Sequence, residues 1–169
     1  MQIMAYEPMM LLVAIGFYLK TGSFSIEDAL NAPTMNLIYL PGVFLGLCFI
    51  LIIKLRKSPF DIALSHEVHQ ELIQGVATEF SGRTLAIIEL AHWYENVFLL
   101  GFVYMFFAWA PAWTPALGLV ACALTFFNDI LIDNCCSRVK WQHMFVASWL
   151  ITLIAGFVNI MFLMYIRVL

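Results

Sequence analysis

Between residues 84 and 166 the chain is three long apolar runs, 84–109, 113–135 and 143–166, parted only by the turn APAW around Pro111 and by SRVKWQ. Each is long enough for an α-helix to cross the ~30 Å of hydrocarbon that takes ~20 residues. No other feature constrains the fold as strongly. Lipid offers no hydrogen bonds, so a crossing segment must satisfy its own backbone as a helix or as part of a closed barrel. Two earlier runs, about 3–20 and 36–55, bring the expectation to an all-α, polytopic transmembrane bundle of about five spans. Composition agrees: 63% of the 169 residues are hydrophobic and 11% charged, against roughly 25% charged in soluble domains. Mean hydropathy is +0.92.

The first residues, MQIMAYEP, carry no basic stretch, and Glu7 falls where a signal peptide would be apolar, so no cleaved signal is expected. Cys48, Cys122, Cys135 and Cys136 form no C-x-x-C pair, which argues against a disulfide framework, a zinc site or an iron–sulfur site. No Gly/Pro/Ser linker divides the chain, so residues 1–169 read as one bundle domain.

With five spans, the second and fourth breaks share a side that carries Lys54, Arg56, Lys57, Arg83, Arg138 and Lys140; the other side has Lys20 and Arg167. The excess of basic residues places the N-terminus in the cytoplasm, together with a loop over 56–83. Pro8 in the first span and Pro41-Gly42 in the second are points where a helix bends or frees a carbonyl, either as a packing kink or as a functional break.

Against this apolar background, Glu7, Glu89, Glu95 and Asp129 stand inside spans. A carboxylate at mid-bilayer costs roughly 2.5–3.5 kcal/mol on insertion scales, and such groups face a bundle interior or a wet cavity. At a rise of ~1.5 Å per residue, Glu89 lies ~7 Å and Glu95 ~16 Å in from Thr84. Glu89, His92 and Asn96 share a helix face, and Asp129 and Asp133 are one turn apart. The acids therefore gather in the cytoplasmic half as candidates for a proton or ion path, with structural hydrogen bonding as the alternative.

The loop RKSPFDIALSHEVHQELIQGVATEFSGR holds Asp61, His66, Glu67, His69, Glu71, Glu79 and Arg83, interleaved with Phe60, Ile62, Leu64, Val68, Leu72, Ile73, Val76 and Phe80. So many apolar residues predict a structured cytoplasmic cap, not a solvated tether. His66 and His69 are three apart, whereas the zinc-protease helix needs four, and without a third ligand no metal site is expected. No Gly-rich nucleotide loop and no nucleophile–His–acid set occurs, so no catalytic, cofactor-binding or nucleic-acid-binding residues are assigned.

S-P-F-D at 58–61, Q-E-L-I-Q-G at 70–75 and T-E-F-S-G at 78–82 resemble the cytoplasmic loop of the complex I membrane subunit that lies beneath the quinone site. Tyr6-Glu7 resembles a Y-E helix of that family, and D-N-x-x-x-R at 133–138 a later cytoplasmic segment. The quinone enzymes place a short E-x-E-x-E run between P-F-D and E-L. Here the spacer is longer and reads S-H-x-x-H, with Ser65, His66 and His69, which resembles the homologous subunit of energy-converting, membrane-bound nickel–iron hydrogenases.

The resemblance implies a non-catalytic subunit of a ferredoxin-linked, dihydrogen-evolving oxidoreductase in the cytoplasmic membrane. It anchors a hydrophilic arm and couples redox chemistry there to H⁺ or Na⁺ movement. Nickel–iron and iron–sulfur centres are then expected in the large and small subunits on the cytoplasmic face, beside other ion-translocating membrane subunits, and none in this chain. Glu7 corresponds to a proton-path glutamate, and Asp61, Glu71 and Glu79 to loop acids that join the two arms. Family members have about three more helices before the Y-E helix, which this chain is expected to lack. The alternatives are a quinone-type complex I subunit and a stand-alone cation antiporter or carrier.

Overall fold

A computed structural model describes residues 2–55, 80–111, 113–136, 139 and 141–168. The described residues form helices and no strands. In order, these are α1 (Gln2–Thr21), α2 (Ile26–Leu30), α3 (Asn36–Tyr39), α4 (Pro41–Lys54), α5 (Arg83–Phe107), α6 (Thr114–Cys135) and α7 (Trp141–Ile151). A π-helical stretch, Thr152–Phe157, then carries α7 into α8 (Val158–Val168). Arg83–Phe107, Thr114–Cys135 and Gln142–Ile166 are long and apolar enough to cross a membrane, and Pro41–Lys54 is a shorter apolar helix. The protein is a multi-pass helical membrane protein. The loop expected over 56–83 lies outside the described residues except for its last four, and so do Asp61, His66, Glu67, His69, Glu71 and Glu79.

Contacts between side chains give the direction of each helix. α4 runs antiparallel to α1: Leu40 lies against Gly16, Met9 against Gly46, and Lys54 against Tyr6. α5 returns antiparallel to α4, with Phe44 5.3 Å from Phe106 at one end and Lys54 against Glu95 at the other. α6 turns back along α5, placing Gly118 on the Tyr104 ring and the Cys122 thiol on the Leu100 carbonyl at 3.3 Å. α7 runs parallel to α1, and Ser148 Oγ donates to the Ala5 carbonyl. Thus α1, α5 and α7 point one way, and α4 and α6 the other.

The core is the seam where α1, α4, α5 and α7–α8 meet, filled by Met9, Val13, Leu47, Leu51, Leu99, Val103, Phe106 and Met144. Glycines set how closely these helices approach, as small residues do in lipid. Met9 is fully buried between Gly46 and Gly156; a Cβ on Gly46 would come within 2.3 Å of its Cε, and one on Gly156 within 3.0 Å of its Sδ. A Cβ on Gly42 would lie 2.4 Å from the Ala155 carbonyl oxygen, so α4 meets the π-helical stretch backbone to backbone.

Pro41 does not kink a continuous span. The helix stops at Tyr39, Leu40 takes φ −124° and ψ 43°, and Pro41 starts α4, a position where its missing N–H costs nothing. The break frees backbone groups that lipid cannot satisfy. Asn159 on α8 does so: its Oδ1 accepts from the Val43 N–H at 3.3 Å and its Nδ2 donates to the Tyr39 carbonyl at 3.4 Å.

Candidate functional site

Two lysines close two antiparallel helices, and each sits at the negative end of its helix dipole. Lys20 is in the last turn of α1 and Lys54 in the last turn of α4. Because the helices run in opposite directions, the two ammonium groups mark opposite ends of the bundle.

At the Lys54 end, Nζ lies 2.9 Å from Oε1 of Glu95 and 4.4 Å from the centre of the Tyr6 ring. Three helices, α1, α4 and α5, are tied at this point by one cation. The pair is partly screened, with 19% of the Lys54 side chain and 40% of the Glu95 side chain exposed. It closes α4 but lies well inside the longer helices beside it. α5 begins at Arg83, twelve residues before Glu95, which is ~18 Å at ~1.5 Å per residue. α7 begins at Trp141, seven residues before the level of Ala5, or ~10 Å. The charges therefore lie inside the height of the long helices.

Tyr6, Glu7 and Lys54 also line an open groove of about 860 Å³ between α1, α7 and the π-helical stretch. Apart from Thr152 its other walls are apolar, among them Leu11, Trp149 and Phe157. Glu7 is exposed into this groove, and no hydrogen bond or ion pair among the described residues engages it.

The other span acids sit elsewhere. Glu89 is exposed, six residues before Glu95 on α5. Asp129 is 2% exposed and lines a separate cavity of about 320 Å³ with Asn128, Cys48, Phe44 and Phe107. Arg83 is exposed at the start of α5 and follows Gly82, whose φ of +57° turns the chain into the helix. Of the four expected ion-path residues, then, Lys54 links Glu95 to the groove that Glu7 faces, Asp129 is in its own cavity, and Glu89 stands apart.

The sequence pattern had not singled out Lys54, which counted only towards the basic side of the membrane, or Tyr6, which stood only in a dipeptide. A charge-pairing rule carries the missing signal: an acid within a span needs a cation at its own depth. Lys54 closes the span antiparallel to the one that holds Glu95.

Comparison with known proteins adds the family. The profile of a family described as NADH dehydrogenase matches residues 1–164. The H subunit of the NADH-quinone oxidoreductase of Brevibacillus brevis is 27% identical over 176 aligned positions, covering 95% of this chain and 50% of that protein. An H subunit of the corresponding oxidoreductase of Geobacter metallireducens is 25% identical over 166 positions, with 95% and 50% covered. That of Bacillus cytotoxicus is 30% identical over 121 positions, covering 70% of this chain and 34% of the relative. The chain spans about half the length of the first two.

Proposed function

The chain belongs to the NADH dehydrogenase family, and from that membership we propose that it is the anchoring and ion-translocating membrane subunit of a multisubunit, complex I-like oxidoreductase. Its relatives are named as subunits of NADH-quinone oxidoreductases, which favours the quinone-type reading over the hydrogenase form. On this reading the chain sits in the cell's inner membrane, and electron transfer takes place on partner subunits that carry the redox centres. On the same reading the loop residues Asp61, Glu71 and Glu79, with His66, Glu67, His69 and Arg83, serve to couple that arm to the membrane.

The observation that carries the reading is the Lys54–Glu95 pair, held within the bundle and bordering a groove that presents Glu7. An ammonium paired to one carboxylate, with another carboxylate exposed on the same groove, is the kind of intramembrane charge cluster that marks an ion path. Glu95→Gln and Glu7→Gln, each in the purified complex in sealed vesicles, test it. Ion uptake driven by the complex's electron donor is expected to fall about tenfold or more, while electron transfer within the hydrophilic arm to an artificial acceptor is retained. Full uptake in both variants would remove the two acids from the path.

One feature supports the hydrogenase reading: the longer spacer between Asp61 and Glu71, with Ser65, His66 and His69 in it. Nickel in the purified complex and dihydrogen from reduced ferredoxin would establish it. Quinone-dependent oxidation of NADH would establish the quinone-type reading.

A further inference from the structure

α6 ends on two adjacent cysteines. Cys135 is its last helical residue and Cys136 its cap, and both are exposed thiols. None of the chain's four cysteines is bridged to another. Cys48 and Cys122 are half-buried inside the bundle: Cys48 lines the cavity of Asp129, and the Cys122 thiol donates to the Leu100 carbonyl. The pair at 135–136 thus differs from the other two thiols in place and in access.

Backbone geometry decides what such a pair can hold. Inside an α-helix, neighbours in sequence do not face each other, so two consecutive thiols there cannot close on one atom. The helix stops between these two. Cys136 has φ −102° and ψ 138°, extended backbone, and its N–H donates to the Ile132 carbonyl at 3.0 Å. Its side chain has left the helical spiral while its backbone stays anchored to the last turn. A direct S–S bond fits poorly: adjacent Cα atoms are ~3.8 Å apart, short of the ~4.4–6.8 Å that disulfides span. A larger atom bonded to both sulfurs sets them further apart and relieves that mismatch.

The side of the membrane keeps the thiols reduced. α6 runs antiparallel to α5, which Arg83 opens, so Cys135 and Cys136 lie at the Arg83 end of the bundle. That is the end the excess of basic residues assigns to the cytoplasm, a compartment in which thiols persist. Two sulfurs do not complete the four-coordinate shell that zinc takes. Among the described residues, no group of three or more His, Cys, Asp or Glu is placed to hold a metal. The chemistry left is that of a soft centre satisfied by two sulfurs and one substituent of its own.

We propose that Cys135 and Cys136 form a dithiol site for a trivalent arsenical that carries one organic group. Each thiol gives up its proton and forms one As–S bond. The bond from arsenic to its oxide oxygen breaks, and that oxygen leaves with both protons as water. Arsenic stays trivalent, so no oxidant or reductant takes part. The site needs no feature of the redox partners and stands on either reading of the complex.

The test uses the intact complex in its native membrane, treated with phenylarsine oxide and washed with excess monothiol. Mass spectrometry then gives the arsenic bound to this chain and the cysteines still open to alkylation. One arsenic per chain is expected, kept through the monothiol wash and stripped by a small dithiol. It is expected to protect Cys135 and Cys136 from alkylation and to leave the reactivity of Cys48 and Cys122 unchanged. Cys135→Ser and Cys136→Ser should each lower retention through the wash about a hundredfold, because the second bond to a bound group forms intramolecularly. Cys48→Ser and Cys122→Ser should leave retention as it is. A wild-type chain that keeps no arsenic, or keeps it without protecting Cys135 and Cys136, would overturn the proposal. So would either Cys135→Ser or Cys136→Ser retaining arsenic like the wild type. Protection is read in the unaltered chain, so it decides the outcome even where a variant fails to assemble.

Discussion

The two lysine-closed ends of the bundle treat the same problem in opposite ways. At the Lys20 end the cation and the buried amide beside it have neutral partners. Lys20 Nζ donates to the Thr34 carbonyl and, at 2.7 Å, to Asn36 Oδ1. Asn36, fully buried, passes its own Nδ2 to the carbonyls of Ala29 at 3.1 Å and Met105 at 2.7 Å. The Ala110 N–H closes onto the Ala32 carbonyl nearby. At the Lys54 end, a full ion pair is half open and a second carboxylate stands exposed beside it. Chain that needs only to hold itself together satisfies its polar groups internally. Charge left incomplete inside a membrane protein is retained for a partner or for something that moves.

The comparison breaks first at Asn36, where the largest loss of stability is expected. Asn36→Leu removes three hydrogen bonds that join α1, the α2 end and α5, and leaves Lys20 short of an acceptor. Each such bond is worth about 1 kcal/mol net, and somewhat less in lipid. The expected loss is about 2–3 kcal/mol, read as a lower midpoint of thermal unfolding in detergent. Ion movement per assembled complex should be unchanged. Lost ion movement in an assembled, stable Asn36→Leu complex would mean that both ends serve translocation.

A smaller effect is expected midway between the ends. Gly42→Ala would put a Cβ 2.4 Å from a backbone oxygen, which cannot rotate away as a side chain could. α4 must then move off the π-helical stretch, at about 1–2 kcal/mol for this degree of overpacking. That shift also strains the bonds of Asn159 to Val43 and Tyr39. An equally destabilising Gly46→Ala is not expected, since Met9 has a flexible end that can give way. Unfolding midpoints of the two variants, measured side by side, check this order.

How much of this was legible follows from which forces act locally. The helices could be read because lipid enforces them: α1, α5, α6 and α7–α8 each lie within a few residues of the runs 3–20, 84–109, 113–135 and 143–166. The exception was the second run, where Pro41 begins a helix; nothing in the sequence before it says that Asn159, over a hundred residues later, caps that break. Span acids could be found but not sorted. Burial of Asp129, exposure of Glu7 and Glu89, and pairing of Glu95 depend on how helices rotate about their axes, and low amphipathicity in chains apolar on all sides leaves that rotation unwritten. The loop motifs pointed to the right family, and the finer choice of hydrogenase form leaned on one spacer, while the named relatives favour the quinone type.

The smallest expected effect on stability is the one that most sharpens the contrast. Lys54 and Glu95 are partly exposed, so their attraction is screened, and coupling for such pairs is about 0.5–1 kcal/mol. A double-mutant cycle with Lys54→Met and Glu95→Gln, followed by unfolding in detergent, should give a value in that range, well below the loss at Asn36. Lys54→Met alone should weaken folding slightly more than the coupling, because the contact over the Tyr6 ring goes with it, at about 0.5–1 kcal/mol. Yet both single variants should lose most ion uptake in vesicles. A small folding energy with a large functional loss is what separates a working charge from a structural one. A coupling of about 3 kcal/mol or more, the range found when a fully buried pair is broken, together with intact uptake, would make the Lys54 end a second clamp like the first.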